Sequence, residues 1–318
     1  MKKVLNVMLA VMVMAGLSSC APAMKGAVKD DTTLTDTAKE LPVGSSVQDY
    51  KGPKLRIGIV SFENKTPSKT FGIGESASDM LGTILHKTGR FIIISSQDMK
   101  HVIEQQKLGA SGLVNPDTAA QMGQVMGLNA IVSGAITAYS EAMEGQDYVL
   151  YQAKEQVARV TVDYRIVDAT TGMQIMADSG AGIYRKKTSQ VMGMGSKSTY
   201  DTDLRDGALR DSLTKSTVNI LKQLGSKKWS GRIAAVKGTQ MFINAGQKSG
   251  LNVGDTLDVF RPGEAIIDPV TRVNLGMTED RIGEVKIIKN DMGESGDMSM
   301  ANPVSGTGFK SGDIVRFK

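Results

Sequence analysis

The chain has one cysteine, two histidines, one tryptophan and only 5% aromatic residues among 318. A lone cysteine excludes an internal disulfide, so an exported form of this chain must hold its fold without one. So few histidines and cysteines also argue against a zinc site, which needs several converging ligands. His86 and His101 lie on helical stretches beside apolar stripes, with no second histidine near either in sequence, and read as surface residues. No Gly-x-Ser-x-Gly elbow and no Walker-type phosphate loop occurs. Gly72-Ile73-Gly74-Glu75-Ser76-Ala77 does fit G-x-G-x-x-A. A dinucleotide fold, however, sets its glycines directly after a strand, with an acidic residue about 20 positions on. Here a polar loop and Phe71 intervene and the next strand ends in Ser95, so the run reads as a loose helix start. No residues support an enzyme, a metal or a diffusible cofactor.

Charge excludes a further class. The formal charge of +5 falls to +3 once Lys2 and Lys3 are set aside, 36 basic residues against 33 acidic. The one basic cluster, Arg185-Lys186-Lys187, has a single tyrosine beside it, whereas nucleic-acid sites pair a basic stripe with stacking aromatics. No nucleic-acid partner is expected.

What is present begins at the first residues. Lys2 and Lys3 precede an apolar run from Val4 to Leu17, shorter than the roughly 20 residues a spanning helix needs. Length, flanks and the small residues after it fit a cleavable secretory signal, residues 1–19. Leu17-Ser18-Ser19-Cys20 resembles the bacterial lipobox, in which the cysteine is acylated and becomes the new N-terminus. Cys20 is therefore the expected lipid-attachment site and its covalent lipid the expected membrane anchor. Several acyl chains on one residue hold firmly where a single chain does not. Ala21 and Pro22 follow, and the absence of Asp there resembles lipoproteins sent on to an outer membrane, facing the periplasm.

Residues 20–53 are rich in Lys, Asp, Thr, Ser and Gly without a period and read as a flexible tether. From 54 to 226 strand and helix patterns alternate. Leu55–Phe62 and Phe91–Ile94 are dense apolar strands, and Ile73 to Leu85 carries a helical stripe. Ser95 to Asp98 matches a capping box before a second helix, and Asn115-Pro116 opens a third that Gly127 stops. Ala130–Ala138, Val157–Val167 and Met173–Tyr184 read as strands, with Asp168 to Gly172 turning the second into the third. Leu209, Leu213, Ser216, Ile220 and Leu224 line one side of a long helix. This alternation predicts an α/β fold, a three-layer-like sandwich with helices on a sheet. The pattern breaks between Gly225 and Ser230. Residues 229–318 then show only short strands, with Gly254-Asp255 and Gly312-Asp313 each before one, and predict a small all-β barrel.

Five segments together carry a family resemblance: the Cys20 motif, Ile57-Gly-Ile-Val-Ser-Phe-Glu-Asn64, Phe91-Ile-Ile-Ile-Ser95, Gly127-Leu-Asn-Ala-Ile-Val-Ser-Gly134 and Arg165-Ile-Val-Asp-Ala-Thr-Thr-Gly172. Their order resembles the curli assembly and transport lipoprotein family, called CsgG-like, over roughly Cys20 to Leu224. The C-terminal barrel is similar to the final domain of the flagellar assembly protein FlgT. The resemblance implies a lipid-anchored periplasmic protein with protein partners in the envelope, able to form a homo-oligomeric ring. In the curli transporter two β-hairpins per subunit join a common membrane barrel.

That implication can be weighed on residues. A spanning strand needs about 9–11 residues with one apolar face. The first candidate hairpin, Tyr139 to Gln156, includes Tyr148, Val149 and Tyr151, but Glu141, Glu144 and Glu155 interrupt it. The second, Ile183 to Asp201, puts Arg185 and Lys187 on one face and Lys186 on the other. A lysine or arginine facing lipid costs roughly 2–4 kcal/mol at mid-depth. The Met- and Gly-rich stretch with Val191, Met192 and Met194, followed by Tyr200, therefore reads better as a loop or partner contact. Two roles stay open: a component for assembly or export of a surface structure, or a non-pore regulator of a partner such as a peptidoglycan synthase or a flagellar or envelope complex.

Overall fold

A computed structural model describes residues 32–33, 52–67, 72–105, 119, 121–123, 126–148, 151–190, 202–270, 274–294 and 296–318. The chain forms a mixed sheet with helices on both faces, followed by a closed barrel.

In the sheet, β2 (Leu55–Ile59) pairs in parallel with β4 (Phe91–Ile94) and with β5 (Ala130–Tyr148). Strands β5, β6 (Tyr151–Asp168) and β7 (Gln174–Gln190) continue it as an antiparallel meander. The order is β1-β7-β6-β5-β2-β4, where β1 is Thr32–Thr33 on Lys186 and Arg185. A two-residue strand, β3 (Glu63–Asn64), lies parallel on β5, so part of the expected polar loop is strand.

Alternation along the strands sorts their side chains. Ile57, Ile59, Ala130, Val132, Val160, Val162 and Ile166 join the core under helices α1 (Ile73–Lys87) and α3 (Thr202–Gly225). On the opposite face Val60, Ile131 and Val167 pack with Met99 of α2 (Ser96–Gln105) and with Ala119 and Met122. Helix α2 begins as its sequence implies: the Ser95 hydroxyl hydrogen-bonds the Asp98 carboxylate at 2.7 Å and accepts the Asp98 N–H at 3.2 Å. At the head of α1, Gly72 has φ of 76°, and a Cβ on Gly74 would strike the Phe62 carbonyl. The two glycines thus serve a close helix–strand approach.

The same device seats α3 on β7. A Cβ at Gly180 or Gly182 would run into the α3 backbone at Ser212 and Ala208, and one at Gly207 into the Tyr184 ring. Polar side chains of α3 then clasp the outer edge of β7. Ser212 donates to the Gly180 carbonyl at 2.8 Å, Lys215 to the Ala181 carbonyl at 3.1 Å, and buried Asp211 accepts the Ile183 N–H at 2.9 Å. An open strand edge is thereby blunted. Leu209, Leu213, Ser216, Ile220 and Leu224, the expected inner side of α3, are all buried.

The barrel closes through β10 (Thr256–Ile267), β11 (Asn274–Met292), β12 (Met298–Gly306), β9 (Gln240–Ile243), β8 (Ser230–Lys237) and β13 (Ile314–Phe317). Its apolar interior (Ile233, Ile243, Leu257, Val259, Val285, Ile287) is continuous with the core under α1 and α3. Polar bonds lock the joint. Asn129 accepts the Arg56 N–H and donates to Ser230, and Lys54 N–H reaches the Ser249 carbonyl. Asp297 in the barrel pairs with Arg56 at 2.7 Å while accepting from Gly246 N–H, Ser249 N–H and the Ser249 hydroxyl. Burial acts to raise the Asp297 pKa, but the bonds from Arg56 and Ser249 outweigh it and hold the carboxyl below its ordinary range.

Two outcomes follow. Gly182→Ala should lower unfolding free energy by about 1–3 kcal/mol in urea, since the helix must move to admit a methyl group. Asp297→Asn should cost about 1.5–3 kcal/mol at neutral pH, in line with bonds to a charged group. A depressed folded-state pKa gives stability that is present above the unfolded value and lost as pH falls through the folded one. Wild-type and Asp297→Asn stabilities, measured from pH 7 down to about pH 2, should therefore converge only below about pH 4.

Candidate functional site

The meander outruns its helices. Pairing of β5 with β6 runs unbroken in direction from Ala130–Asp168 to Tyr148–Tyr151, with one irregularity between Ile136 and Ala138. Pairing of β6 with β7 runs from Val167–Gln174 to Gln152–Gln190. Helix α3 begins at Thr202 and its Gly207 lies against Tyr184. Beyond Tyr184, β7 continues for six residues, about 20 Å at strand rise. The result is a three-stranded arm.

The sequence-based strands end earlier, at Ala138 on β5 and Tyr184 on β7, because polar residues beyond those points carry no burial period. What holds them is the ladder itself and pairs across it. Glu144 lies directly opposite Glu155, an arrangement that is repulsive when left alone. Two arginines on the same face resolve it. Arg159 bonds Glu144 at 2.9 Å, and Arg185 lies 3.7 Å from Glu144 and 3.4 Å from Glu155. Between them Val157 is fully buried despite its place on the arm. The Arg159 hydrogen bond, aided by both arginine charges, holds the Glu144 carboxyl below its usual range.

The other face, which continues the α3 side, carries Tyr139, Glu141, Met143, Gln156, Tyr184 and Lys186 in register. Met143 is 63% exposed, a single large apolar side chain among polar neighbours. Neither face of the described part of the arm is an apolar lipid surface.

Among the residues singled out in the sequence, Tyr148 and Tyr151 are ladder partners at the outer end of β5 and β6. Gln190, the last residue of β7, pairs with Gln152 beside them. The two candidate hairpin segments therefore meet at one end of the arm. Val149, Val191, Met192, Met194 and Tyr200 lie outside the described residues, as does Cys20. His86 and His101 are exposed, and among the described residues no group of three His, Cys, Asp or Glu is placed to hold a metal. No helix among them is long and apolar enough to cross a membrane. Sequence reasoning missed the arginine–glutamate pairing: Glu141, Glu144 and Glu155 read only as interruptions of an apolar face, and the signal that could have found it is the i, i+2 spacing of Glu155, Val157 and Arg159.

A sheet with helices on both faces, a meander that extends past them, and motifs at β2, β4, β5 and β6 are the setting for the comparisons with known proteins. Residues 45–252 match the family described as the curli production assembly/transport component CsgG, and the chain belongs to that family. It is 25% identical over 218 residues to a Neisseria meningitidis serogroup B protein whose name calls it a lipoprotein, covering 65% of this chain and 91% of that one. The crystal structure of lipoprotein GNA1162 from Neisseria meningitidis matches at 13% identity and a TM-score of 0.31, over 54% of this chain and 99% of that one. The C-terminal domain of LpoB from Salmonella enterica matches at 18% identity and 0.29, over 44% and 90%.

The ionic cross-pairing can be tested directly. A double-mutant cycle of Glu144→Gln and Arg159→Gln should show favourable coupling at low salt that shrinks in about 1 M salt, where the Debye length is about 3 Å. Because the Glu144 pKa is depressed, the coupling should persist to below the usual glutamate value of about 4.3 and vanish only under it.

Proposed function

We infer that this chain is a lipid-anchored, non-enzymatic envelope protein that serves assembly or export of a surface structure, and that it works through its projecting strands. The observation that carries this is the arm: three hydrogen-bonded strands leave the packed body and bring the described strands of both candidate hairpins side by side. Family membership and the lipoprotein name of the Neisseria relative support a covalent lipid on Cys20. The family resemblance supports a location at the outer membrane facing the periplasm, with envelope proteins or further copies of itself as partners.

A second reading has one observation in its favour. The Glu144, Glu155, Arg159 and Arg185 cluster lies on the arm itself, and an arm that entered lipid would have to take those charges with it. Under this reading the arm is a contact surface for a partner, such as a peptidoglycan synthase or a flagellar or envelope complex, and no pore forms.

Extraction of the full-length acylated protein in mild detergent, followed by light scattering and electron microscopy, separates the two. A ring with a detergent-belted barrel is the export outcome; a monomer or small oligomer with detergent only at its lipid is the regulatory one. In either case Cys20→Ala should move the protein from the membrane to the soluble fraction, and full retention would refute the anchor. Deleting residues 191–200 should abolish export under the first reading and leave a folded, partner-competent protein under the second.

A further inference from the structure

Away from the arm, the sheet face opposite α1 and α3 is left partly open beside β3. There a cleft of about 230 Å³ has Ser133 and Arg165 at its floor and Ser61, Glu63, Lys65 and Asp163 around it. That is below the roughly 300–1,000 Å³ of drug-sized pockets, so whatever fills it is small. Ser133 and Arg165 belong to two of the sequence motifs that carry the family resemblance, and the β5–β6 register sets them directly opposite each other.

The chemistry of the floor is specific. Arg165 donates through Nε to the Ser133 hydroxyl at 3.0 Å, and Ser133 is only 5% exposed. This fixes the plane of a half-buried guanidinium and leaves both terminal nitrogens available. Among the described residues no carboxylate lies within 4.0 Å of Arg165. Its nearest acid in sequence on that face, Asp163, is exposed and pairs with no described cation. Glu63 and Lys65 pair with each other at 3.6 Å on the rim. A guanidinium held through Nε presents its terminal N–H groups as a planar fork, which a carboxylate can meet with two parallel hydrogen bonds. With two acids and two bases, the cleft is neutral overall, so it offers no net attraction to a simple anion. It does match a molecule carrying both signs a few ångströms apart.

We propose that this cleft binds a small zwitterion of amino-acid or dipeptide size, its carboxylate on the Arg165 fork and its ammonium on Asp163. The inference is independent of what the arm does, since none of these residues lies on it.

The test is calorimetric titration of the full-length acylated protein in mild detergent at pH 7 with glycylglycine, N-acetylglycylglycine, acetate and inorganic phosphate. Glycylglycine should bind saturably at one per chain, and the other three at least tenfold more weakly. Arg165→Gln should weaken glycylglycine at least tenfold. Asp163→Asn, at an exposed position that leaves the fold intact, should remove the preference for glycylglycine over its acetylated form. Absence of saturable binding overturns the proposal, as does binding unchanged in Asp163→Asn. Acetate or phosphate binding as tightly as glycylglycine also overturns it, by showing a plain anion pocket. Should Arg165→Gln lose its native circular dichroism, the Asp163→Asn comparison alone decides.

Discussion

Helix α3 and the strands beneath it do not have the same length, and much of this molecule follows from that mismatch. Twenty-four residues of helix span about 36 Å, whereas the nineteen of β5 span roughly 63 Å. Helix α3 is pinned at the level of Gly180 and Gly182, where only serine side chains and its own backbone at Ala208 and Ser212 come against β7. It cannot slide outward to cover the rest. The strands past Tyr184 extend beyond the level where Gly207 meets its ring, and an isolated two-stranded hairpin is marginal in water. Three strands in place of two, the buried Val157 and the glutamates bridged by Arg159 and Arg185 make that length possible. The edge of β7 is occupied as well, by α3 side chains near Ile183 and by β1 at Arg185 and Lys186.

At the other end the structure is tied rather than extended. Arg56 follows the first residue of β2 and Asp297 immediately precedes β12, yet they are paired at 2.7 Å across 241 residues of sequence. Asp297 also fixes the Gly246–Ser249 turn, so one carboxylate organises a barrel loop and joins it to the sheet. The match to the family, which runs to residue 252, likewise does not stop where α3 ends. One core passes beneath both parts, so sheet and barrel share packed side chains as well as this joint.

How far the sequence spoke depends on burial. Wherever a strand or helix has an inside, its period was readable: Ile57 and Ile59 on β2, the α3 stripe from Leu209 to Leu224, the Ser95 cap of α2. Where both faces meet water the period vanishes. Glu141 and Glu144 look like loop, yet they continue β5, because the reasons for their conformation are cross-strand partners about ten to forty residues away. The same limit hid the Arg56–Asp297 pair. No local pattern announces a contact between residues 241 positions apart.

The Ser133–Arg165 cleft shows a different limit. Both residues stood in plain view within motifs that carried the family resemblance, and both could be read as ordinary strand residues with a polar outward face. Their significance lies in what the fold withholds. Val60, Ile131 and Val167, one step toward the start of the sheet on the same face, are covered by Met99, Ala119 and Met122. Among the described residues the apolar cover ends before Ser133 and Arg165, while β3 has already begun at the side. The Arg165 guanidinium is oriented through Nε, and among the described residues no carboxylate lies within 4.0 Å of it. A guanidinium whose plane is set by a serine and whose terminal N–H groups are not taken by a described carboxylate is arranged to receive one, and that geometry is what the proposed zwitterion site rests on.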